Sequence, residues 1–236
     1  MFPTALDSAA SAAVITQARE GRTPRPLDFP AGLRPRDAAE AYAVQDAVVR
    51  ARGHIAGWKV GAASPQAQPA RAALTRDSVW VAAAGEPVLL AASGFAVMGV
   101  EAEWVYELRA DLPARATPYS TTEVLATVKS VRAAIEVCDT RFAAWAQQGE
   151  WSRLADQACH GALIVGTGTH DVVNAQPLAQ AVTLSVNGAV AVQHATWGNP
   201  AGDPLRLLVW LANEGARSLG GLRAGHWVTT GSCTGT

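Results

Sequence analysis

The spacing of apolar residues divides the chain into a helical beginning and a β-rich remainder. An alanine-rich stretch over Ser8–Arg19 predicts a first helix, and a loop rich in proline, glycine and arginine follows at residues 21–35. A second helix is predicted to begin after Asp37, whose side chain can cap it, and to continue through Val49. Gly53 is predicted to end this helix, because glycine adopts the left-handed backbone of a helix C-terminus.

The remainder of the chain is dominated by short runs typical of strands. Residues 54–61 form such a run between glycines, and residues 100–106 and 133–139 combine branched and aromatic side chains with apolar neighbours. Two helices are predicted within this part, at residues 121–134 and 204–219, and the second has an aspartate at its cap and a proline in its first turn.

One local prediction is a β-hairpin over residues 183–192. Asn187 and Gly188 separate two alternating runs, and this dipeptide suits the type I′ turn that joins antiparallel strands. Together the elements predict an α+β protein, in which a helical N-terminal region, residues 1–53, packs on a mixed β-rich domain, residues 54–236.

Composition and charge narrow the class of protein. The chain has 236 residues, 49% of them hydrophobic, and a formal net charge of -1, which is typical of a globular protein and argues against a nucleic-acid-binding surface. No apolar run is long enough to span a membrane, and residues 1–7 lack the basic and apolar regions of a signal peptide. We therefore expect a cytoplasmic protein with neither a nucleic acid nor a membrane as partner.

Three cysteines are spread along the chain without the spacing of a metal site: Cys138, Cys159 and Cys233. Reduced structural thiols are the expected state in the cytoplasm. Cys138 lies two residues after Glu136, so a nucleophilic role is the alternative, although no histidine is near it in the sequence.

The most informative polar residues are three glutamates on predicted strands. Glu101 and Glu103 must project to the same face of their strand, about 7 Å apart, because side chains alternate along a strand. Glu136 lies among apolar residues on another strand. Buried carboxylates repel one another and are costly to desolvate, so a divalent cation held by oxygen ligands, Mg²⁺ or Mn²⁺, would stabilise them. The alternative is a solvated face of an edge strand, and this motif alone does not decide between the two.

Two further charged residues are candidates for catalysis. Lys59 lies between Trp58 and Val60 on a predicted strand and requires an anionic partner, which is either a structural carboxylate or a substrate. Asp77 lies between an apolar turn and another strand, where a raised pKa would suit a general acid or base. An N-cap or Asx-turn role is the alternative for Asp77.

The other polar residues are predicted to be structural. Asp139 and Arg141 have the opposite strand parity to Glu136, so we expect them to face away from it and to form a surface or interstrand ion pair. Glu107 is expected to be solvated. The histidines lack zinc-site spacing and are expected at the surface or in satisfied core positions: His54, His160, His170, His194 and His226.

Several short motifs, taken in order, resemble the 2-keto-4-pentenoate hydratase family of the fumarylacetoacetate hydrolase superfamily. The resemblance extends from Asp37 to the C-terminus. The motifs are GWKVGAAS (57–64), LTRD (74–77), VEAE (100–103), AIEVCDTR (134–141), ADQ (155–157) and AGHWVTTGS (224–232).

The resemblance implies a fold, a reaction and a site. The fold would be the β-rich roll or sandwich of the fumarylacetoacetate hydrolase type. Glu101, Glu103 and Glu136 would bind Mg²⁺ or Mn²⁺, Lys59 would anchor the substrate, and Asp77 would move protons. The reaction would add water to a 2-hydroxy-2,4-dienoate or 2-oxo-enoate in aromatic-compound catabolism, giving a 4-hydroxy-2-oxo acid.

Departures from the family pattern leave alternatives open. Cys159 and His160 stand where relatives have small or hydroxyl residues, which leaves open decarboxylation of an oxalocrotonate-type diacid or C–C hydrolysis of an acylpyruvate. A weakly active structural subunit of a hydratase–decarboxylase complex is the non-enzymatic alternative. Relatives continue beyond Ser232 through further strand, so a sheet edge is expected to need cover, and a homo-oligomer, with or without a sister decarboxylase, would supply it.

Overall fold

Two capped helices begin the computed structural model, which describes residues 5–235. Helix α1 spans Ser8–Arg19 and α2 spans Ala38–Arg52; Asp37 caps α2 by accepting a hydrogen bond from the Glu40 amide. Gly53 follows α2 with a φ of 99°, a conformation that favours glycine. Both predicted helices are confirmed. The prediction that residues 1–7 are not a signal peptide lies partly outside the described residues.

Strands and short helices alternate along the rest of the chain. In order they are β1 (Ile55–Gly61), β2 (Ala70–Thr75), β3 (Val79–Val81), β4 (Gly99–Leu108), β5 (Leu112–Pro113), α3 (Thr121–Ala126), β6 (Val128–Cys138), α4 (Glu150–Ala155), β7 (His160–Thr169), β8 (Val182–Val186), β9 (Ala189–His194), α5 (Pro204–Trp210), β10 (Gly221–Leu222) and β11 (Trp227–Ser232). The α+β class is confirmed.

A curled, mixed sheet of seven strands organises the molecule, in the order β2-β1-β11-β4-β6-β7-β3. The β1–β11 and β3–β7 pairs are parallel, and the other pairs are antiparallel. Strands β2 and β3 form opposite edges of this sheet, yet only the turn Arg76–Ser78 joins them. The sheet must therefore curl until its edges approach each other, which gives it an inner and an outer face.

The two faces of the sheet have different contents. The inner face carries a small apolar cluster that includes Leu74, Val105 and Leu163. Glu101 and Glu103 have the same strand parity as Val105, so they also lie on the inner face. The outer face carries Trp58 and packs against α3 and α5 in a larger apolar cluster.

The N-terminal helices pack in a third apolar cluster. Ile15 and Val44 lie in it, as do Phe29 and Phe142, whose rings meet edge to face at 5.1 Å. Since Phe142 follows the sheet strand β6, the cluster joins both sides of the predicted boundary at residue 53, and that boundary stays a prediction. Within residues 5–235, every helix is too short or too polar to span a membrane.

In the β-rich part, the predicted hairpin is confirmed, and one predicted helix is shorter than expected. Strands β8 and β9 form the predicted hairpin, and Asn187 and Gly188 both have positive φ, 53° and 79°, as a type I′ turn requires. The helix predicted at residues 121–134 is wrong beyond Ala126. It ends there, and the chain continues as β6, because the branched residues from Val128 onward pair along most of β4.

Candidate metal centre

Three glutamates converge on the inner face of the curled sheet. Glu101 and Glu136 are direct partners across the β4–β6 pair, and Glu103 follows two residues later on the same face. Their relative exposures are 8%, 5% and 0% for Glu101, Glu103 and Glu136. The structure thus brings together the three predicted ligands, and the alternative of a solvated edge strand is wrong.

The two oxygens of Glu136 have different surroundings. Oε1 accepts a hydrogen bond from Lys59 Nζ at 2.7 Å and lies 3.0 Å from His160 Nδ1. Oε2 is buried and has no hydrogen-bond partner among residues 5–235. Burial would raise the pKa of Glu136, but the charge of Lys59 and the hydrogen bond from His160 outweigh it and lower the pKa to about 2.

Glu103 is held by the C-terminal strand. Thr229 Oγ1 and the Gly231 amide, the latter at 3.0 Å, both donate to Glu103 Oε2. An irregularity in β11 between Thr229 and Ser232 brings both donors to the same oxygen, and Gly231 has a φ of 92°. Burial, together with the charge of Glu136, raises the pKa of Glu103.

Lys59 extends from β1 to the carboxylates. Its Nζ donates to Glu136 and also, at 3.1 Å, to the carbonyl oxygen of Ala158. Burial alone would lower the pKa of Lys59, but the charge of Glu136 outweighs it and raises the pKa, so Lys59 stays protonated at neutral pH. Gln157, Ala158 and Cys159 all have positive φ, a strained arrangement for non-glycine residues that positions the Ala158 carbonyl.

His160 is a satisfied core histidine that nevertheless contacts the site. It is 1% exposed, and its Nε2 lies 3.0 Å from Ser78 Oγ while its Nδ1 faces Glu136. Burial lowers the pKa of His160 to about 4, so the ring is neutral at pH 7. A neutral ring with its proton on Nδ1 donates to Glu136, and Nε2 accepts from Ser78 Oγ when the single hydroxyl proton of Ser78 turns to the ring from the Thr75 carbonyl oxygen, 2.8 Å away.

Asp77 lies apart from this contact network. Its side chain is 57% exposed and forms an ion pair with Arg52 and a 2.6 Å hydrogen bond from Thr75 Oγ1. Burial opposes the change, yet these partners lower the pKa of Asp77, so the expected rise in its pKa is wrong. It borders a cleft of about 310 Å³ whose lining is rich in arginine: Arg19, Arg25, Arg52 and Arg141.

The structural predictions for three polar residues are corrected. Glu107 is not solvated, since it is 8% exposed and accepts 2.7 Å hydrogen bonds from Lys129 and Ser130. Asp139 and Arg141 do not pair with each other: Asp139 accepts from the backbone at residues 96 and 97, and Arg141 pairs with the buried Asp156. Strand β6 ends at residue 138, so strand parity does not extend to Asp139 and Arg141.

The donor set fits a divalent cation. Three carboxylates face one ammonium, which leaves two negative charges when all are ionised, and Glu136 Oε2 is an acceptor that awaits a partner. Oxygen ligands of this kind suit Mg²⁺ or Mn²⁺. Thr229, Gly231 and His160 complete the surroundings. Sequence reasoning missed the first two, although both lie in the last of the motifs that carry the family resemblance.

Comparison with known structures identifies the fold, while no family model matches the sequence. The chain is similar to the 4-oxalocrotonate decarboxylase of Pseudomonas putida G7. Its structure complexed with magnesium and adipate gives a TM-score of 0.78 at 24% identity over 96% of this chain and 87% of that chain. The structure of that enzyme complexed with calcium and acetate gives a TM-score of 0.76 at 23% identity over the same shares.

A more distant likeness joins the chain to the fumarylpyruvate hydrolase of Pseudomonas aeruginosa in complex with Mn²⁺ and pyruvate. The TM-score is 0.51 at 16% identity, over 76% of this chain and 79% of that chain. These neighbours belong to the fumarylacetoacetate hydrolase superfamily, and the fold of this chain is the fold they share. Two of these structures hold magnesium or Mn²⁺, and the third holds calcium.

Proposed function

We propose that this chain is a divalent-metal-dependent hydratase, a carbon–oxygen lyase. It would add water to a 2-hydroxy-2,4-dienoate or 2-oxo-enoate and give a 4-hydroxy-2-oxo acid in aromatic-compound catabolism. The observation that carries the proposal is the convergence of Glu101, Glu103 and Glu136 with Lys59 on the inner face of the sheet, where Glu136 Oε2 has no partner.

The glutamates would hold the cation and Lys59 would complete the binding of substrate. When bound, Mg²⁺ or Mn²⁺ would supply positive charge that stabilises negative charge on the substrate. Lys59 is an ammonium with a raised pKa, so its role would be to donate a hydrogen bond and not to accept a proton. Its 2.7 Å contact with Glu136 fixes its position beside the cation site.

Other residues of the chain would position and shield this site. Thr229 and Gly231 hold one oxygen of Glu103 and so fix the orientation of its carboxylate. Val105 and Leu163 lie in the apolar cluster on the same inner face and limit the access of bulk water from that side. Exclusion of water strengthens the interaction of Lys59 with a developing negative charge.

Asp77 would take part in proton transfer, as the family resemblance implies. Its lowered pKa and its ion pair with Arg52 favour the ionised form at neutral pH, so it would accept a proton in the first half of such a transfer. Asp77 precedes Ser78, which contacts His160 and through it Glu136. The Asp77 carboxylate itself contacts Thr75 and Arg52, so only its position beside Ser78 in the chain relates it to the buried site.

A decarboxylase of an oxalocrotonate-type diacid is the second candidate, and the arginine-lined cleft favours it. Arg19 donates to the carbonyl oxygen of His160 at 2.8 Å, and no ion pair between Arg19 and a carboxylate occurs within residues 5–235. Burial and the charges of Arg141 and Arg52 lower the pKa of Arg19 to about 9. A second carboxylate of the substrate would relieve this repulsion.

Hydrolysis of an acylpyruvate is less well supported. A histidine with a carboxylate partner near the cation would favour it, and His160 has such a partner in Glu136. Both ring nitrogens of His160 are already engaged and the ring is 1% exposed, so no nitrogen remains to activate a water molecule.

The test is a product assay of the full chain under Mg²⁺ and under Mn²⁺, with 2-hydroxypenta-2,4-dienoate and 4-oxalocrotonate side by side. A hydratase forms the hydrated 2-oxo acid from the monoacid, whereas a decarboxylase releases CO₂ from the diacid. Cation binding without turnover of either compound would instead support a structural subunit, and light scattering of the purified protein would then test for a homo-oligomer or an assembly with a sister decarboxylase.

A further inference from the structure

The ammonium of Lys59 has one N–H donor more than the acceptors that surround it. An ammonium carries three N–H donors. Nζ donates to Glu136 Oε1 at 2.7 Å and to the carbonyl oxygen of Ala158 at 3.1 Å, and within residues 5–235 it makes no third hydrogen bond. One acceptor lies on β6 and the other in the turn before β7. Because two acceptors on separate elements hold the ammonium, the direction of its third N–H is fixed.

The turn that supplies the Ala158 carbonyl has an unusual backbone. Gln157, Ala158 and Cys159 have φ of 51°, 49° and 61°, so three consecutive residues without a glycine are left-handed. L-amino acids enter this region as single residues, because Cβ then crowds the following carbonyl oxygen. The Cys159 amide donates to the carbonyl oxygen of Asp156 at 3.0 Å and closes the turn. A backbone of this kind persists only where its surroundings impose it.

Arg141 holds both ends of the turn. Its guanidinium donates to the carbonyl oxygens of Asp156 and His160, the residues on either side of the turn. The buried Asp156 carboxylate pairs with the same guanidinium and accepts hydrogen bonds from Thr140 Oγ1 and the Arg141 amide, both at 2.9 Å. Charge-assisted hydrogen bonds are among the strongest in proteins, so the two ends of the turn are kept close together.

Gln157 joins the turn to helix α2. Its side chain is buried, and Nε2 donates to the carbonyl oxygen of Gln45 at 3.2 Å. Ala158 itself is only partly buried, so a somewhat larger side chain can be accommodated there. A substitution of Ala158 therefore tests the backbone of the turn, and a substitution of Gln157 tests its attachment to α2.

We propose that the left-handed turn Gln157–Cys159 is the element that positions Lys59, with Gln157 and Ala158 as positioning residues. The inference rests on the proposed function, in which Lys59 contacts the substrate. Since Glu136 and Ala158 take two of its N–H donors, Lys59 gives one hydrogen bond to the substrate and contacts one substrate oxygen. If the Ala158 carbonyl moved away, Nζ would turn about its contact with Glu136 and this hydrogen bond would lose its direction.

The first measurement needs neither metal nor substrate. The chain has two lysines, Lys59 and Lys129, so the metal-free full chain labelled with ¹⁵N-lysine gives two ammonium signals by NMR at low temperature. A158V puts a branched side chain on a left-handed residue and disfavours the turn, whereas A158G favours it. A158V should shift or broaden the Lys59 signal and leave that of Lys129, which pairs with Glu107. A158G should leave both signals in place.

The second measurement is steady-state kinetics under Mg²⁺ with the substrate that the wild type turns over. A158V should lower kcat about 10²-fold, the loss that a misplacement of about 1 Å can cause, and A158G should keep the wild-type kcat. Mg²⁺ affinity, measured by calorimetry, should stay unchanged in both. Q176V is the matched control, because Gln176 is exposed in the loop before β8 and has a φ of 39°. It carries a similar backbone conflict and should change neither measurement.

Q157A tests the same role if A158V does not fold, since it removes only the hydrogen bond to Gln45. It should shift the Lys59 signal and lower kcat, by less than A158V. An unchanged Lys59 signal in the folded variant, a shifted signal with wild-type kcat, or an equal loss in A158G would overturn the positioning role. Absence of turnover by the wild type would instead count against the proposed function, and the NMR measurement would still decide whether the turn holds Lys59.

Discussion

Lys59 and Glu136 form a buried ion pair in which only one carboxylate oxygen takes part. Nζ of Lys59 lies 2.7 Å from Oε1 of Glu136, and Oε2 of the same group is buried without a partner in the described residues. Because Lys59 pairs with one oxygen, the Glu136 carboxylate stays ionised. Its second oxygen can still bind a metal cation. The first two predictions rest on this difference between the two oxygens of Glu136.

Mg²⁺ and Mn²⁺ should stabilise the wild type against thermal unfolding, and E136Q should lose this effect. A cation at one hundred times its Kd adds about 2.7 kcal/mol to the free energy of unfolding. The control is E107Q, because Glu107 shares β4 and its inner face with the predicted ligands but pairs with Lys129. A Tm rise that survives in E136Q would place the cation elsewhere.

Replacing Lys59 by methionine should destabilise the metal-free protein by about 3 kcal/mol, because Glu136 then keeps a buried charge without its partner. The double variant K59M/E136Q should recover part of this loss, since the charge is removed together with its partner. Urea unfolding at pH 7 measures all four proteins of the cycle. Additive losses in the double variant would mean that the pair is not coupled.

Asp77→Asn should lower kcat by about 10²-fold or more while leaving KM nearly unchanged, if Asp77 moves a proton in the reaction. Stability should change by less than about 1 kcal/mol, because the Asp77–Arg52 pair is exposed on the Asp77 side. Steady-state kinetics with the preferred substrate checks the first statement. An unchanged kcat would leave Asp77 with only its structural ion pair.

Arg19 should matter only for a substrate with a second carboxylate. R19M should raise KM for 4-oxalocrotonate about tenfold or more, since a hydrogen bond to a charged group contributes about 1.5–3 kcal/mol. KM for the monoacid should not change. R22M is the matched control, because Arg22 is exposed and pairs with Glu20 outside the carboxylate site. Equal effects on the two substrates would argue against the diacid-binding cleft.

Stability should fall as the pH drops from 6.5 to 4, partly because of His226. Burial lowers the pKa of His226 to about 4, and its Nδ1 accepts hydrogen bonds from Trp58 Nε1 and the Arg223 amide. Between pH 6.5 and pH 4, His226 therefore binds a proton in the unfolded state but not in the folded state. The contribution of His226 to stability is full above pH 6.5 and declines toward pH 4.

The size of the His226 effect is bounded by the shift in its pKa, about 3 kcal/mol at most. His160 shifts in the same direction, so the wild type must be compared with H226Q by urea unfolding at pH 7 and at pH 4.5. The wild type should lose more stability over this interval than H226Q. Parallel losses would assign the pH dependence to other groups.

Much of the fold could be predicted because its signals are local. The caps at Asp37 and Gly53 set the bounds of α2, and Asn187-Gly188 set the turn of the hairpin. The region after Ser120 could not be predicted in the same way. A capping box starts α3 there, but pairing with β4, a partner distant in sequence, ends the helix at Ala126.

In the candidate site, too, local features could be predicted and contacts between distant segments could not. The sequence by itself determined that Glu101 and Glu103 share a face, because alternation along a strand needs no partner. Only the tertiary structure decided that Glu136 lies opposite Glu101, since register is a property of two strands. It also decided that His160 and Cys138 meet Glu136 while Asp77 stays with Arg52, because contacts across a curled sheet depend on packing that no single segment encodes.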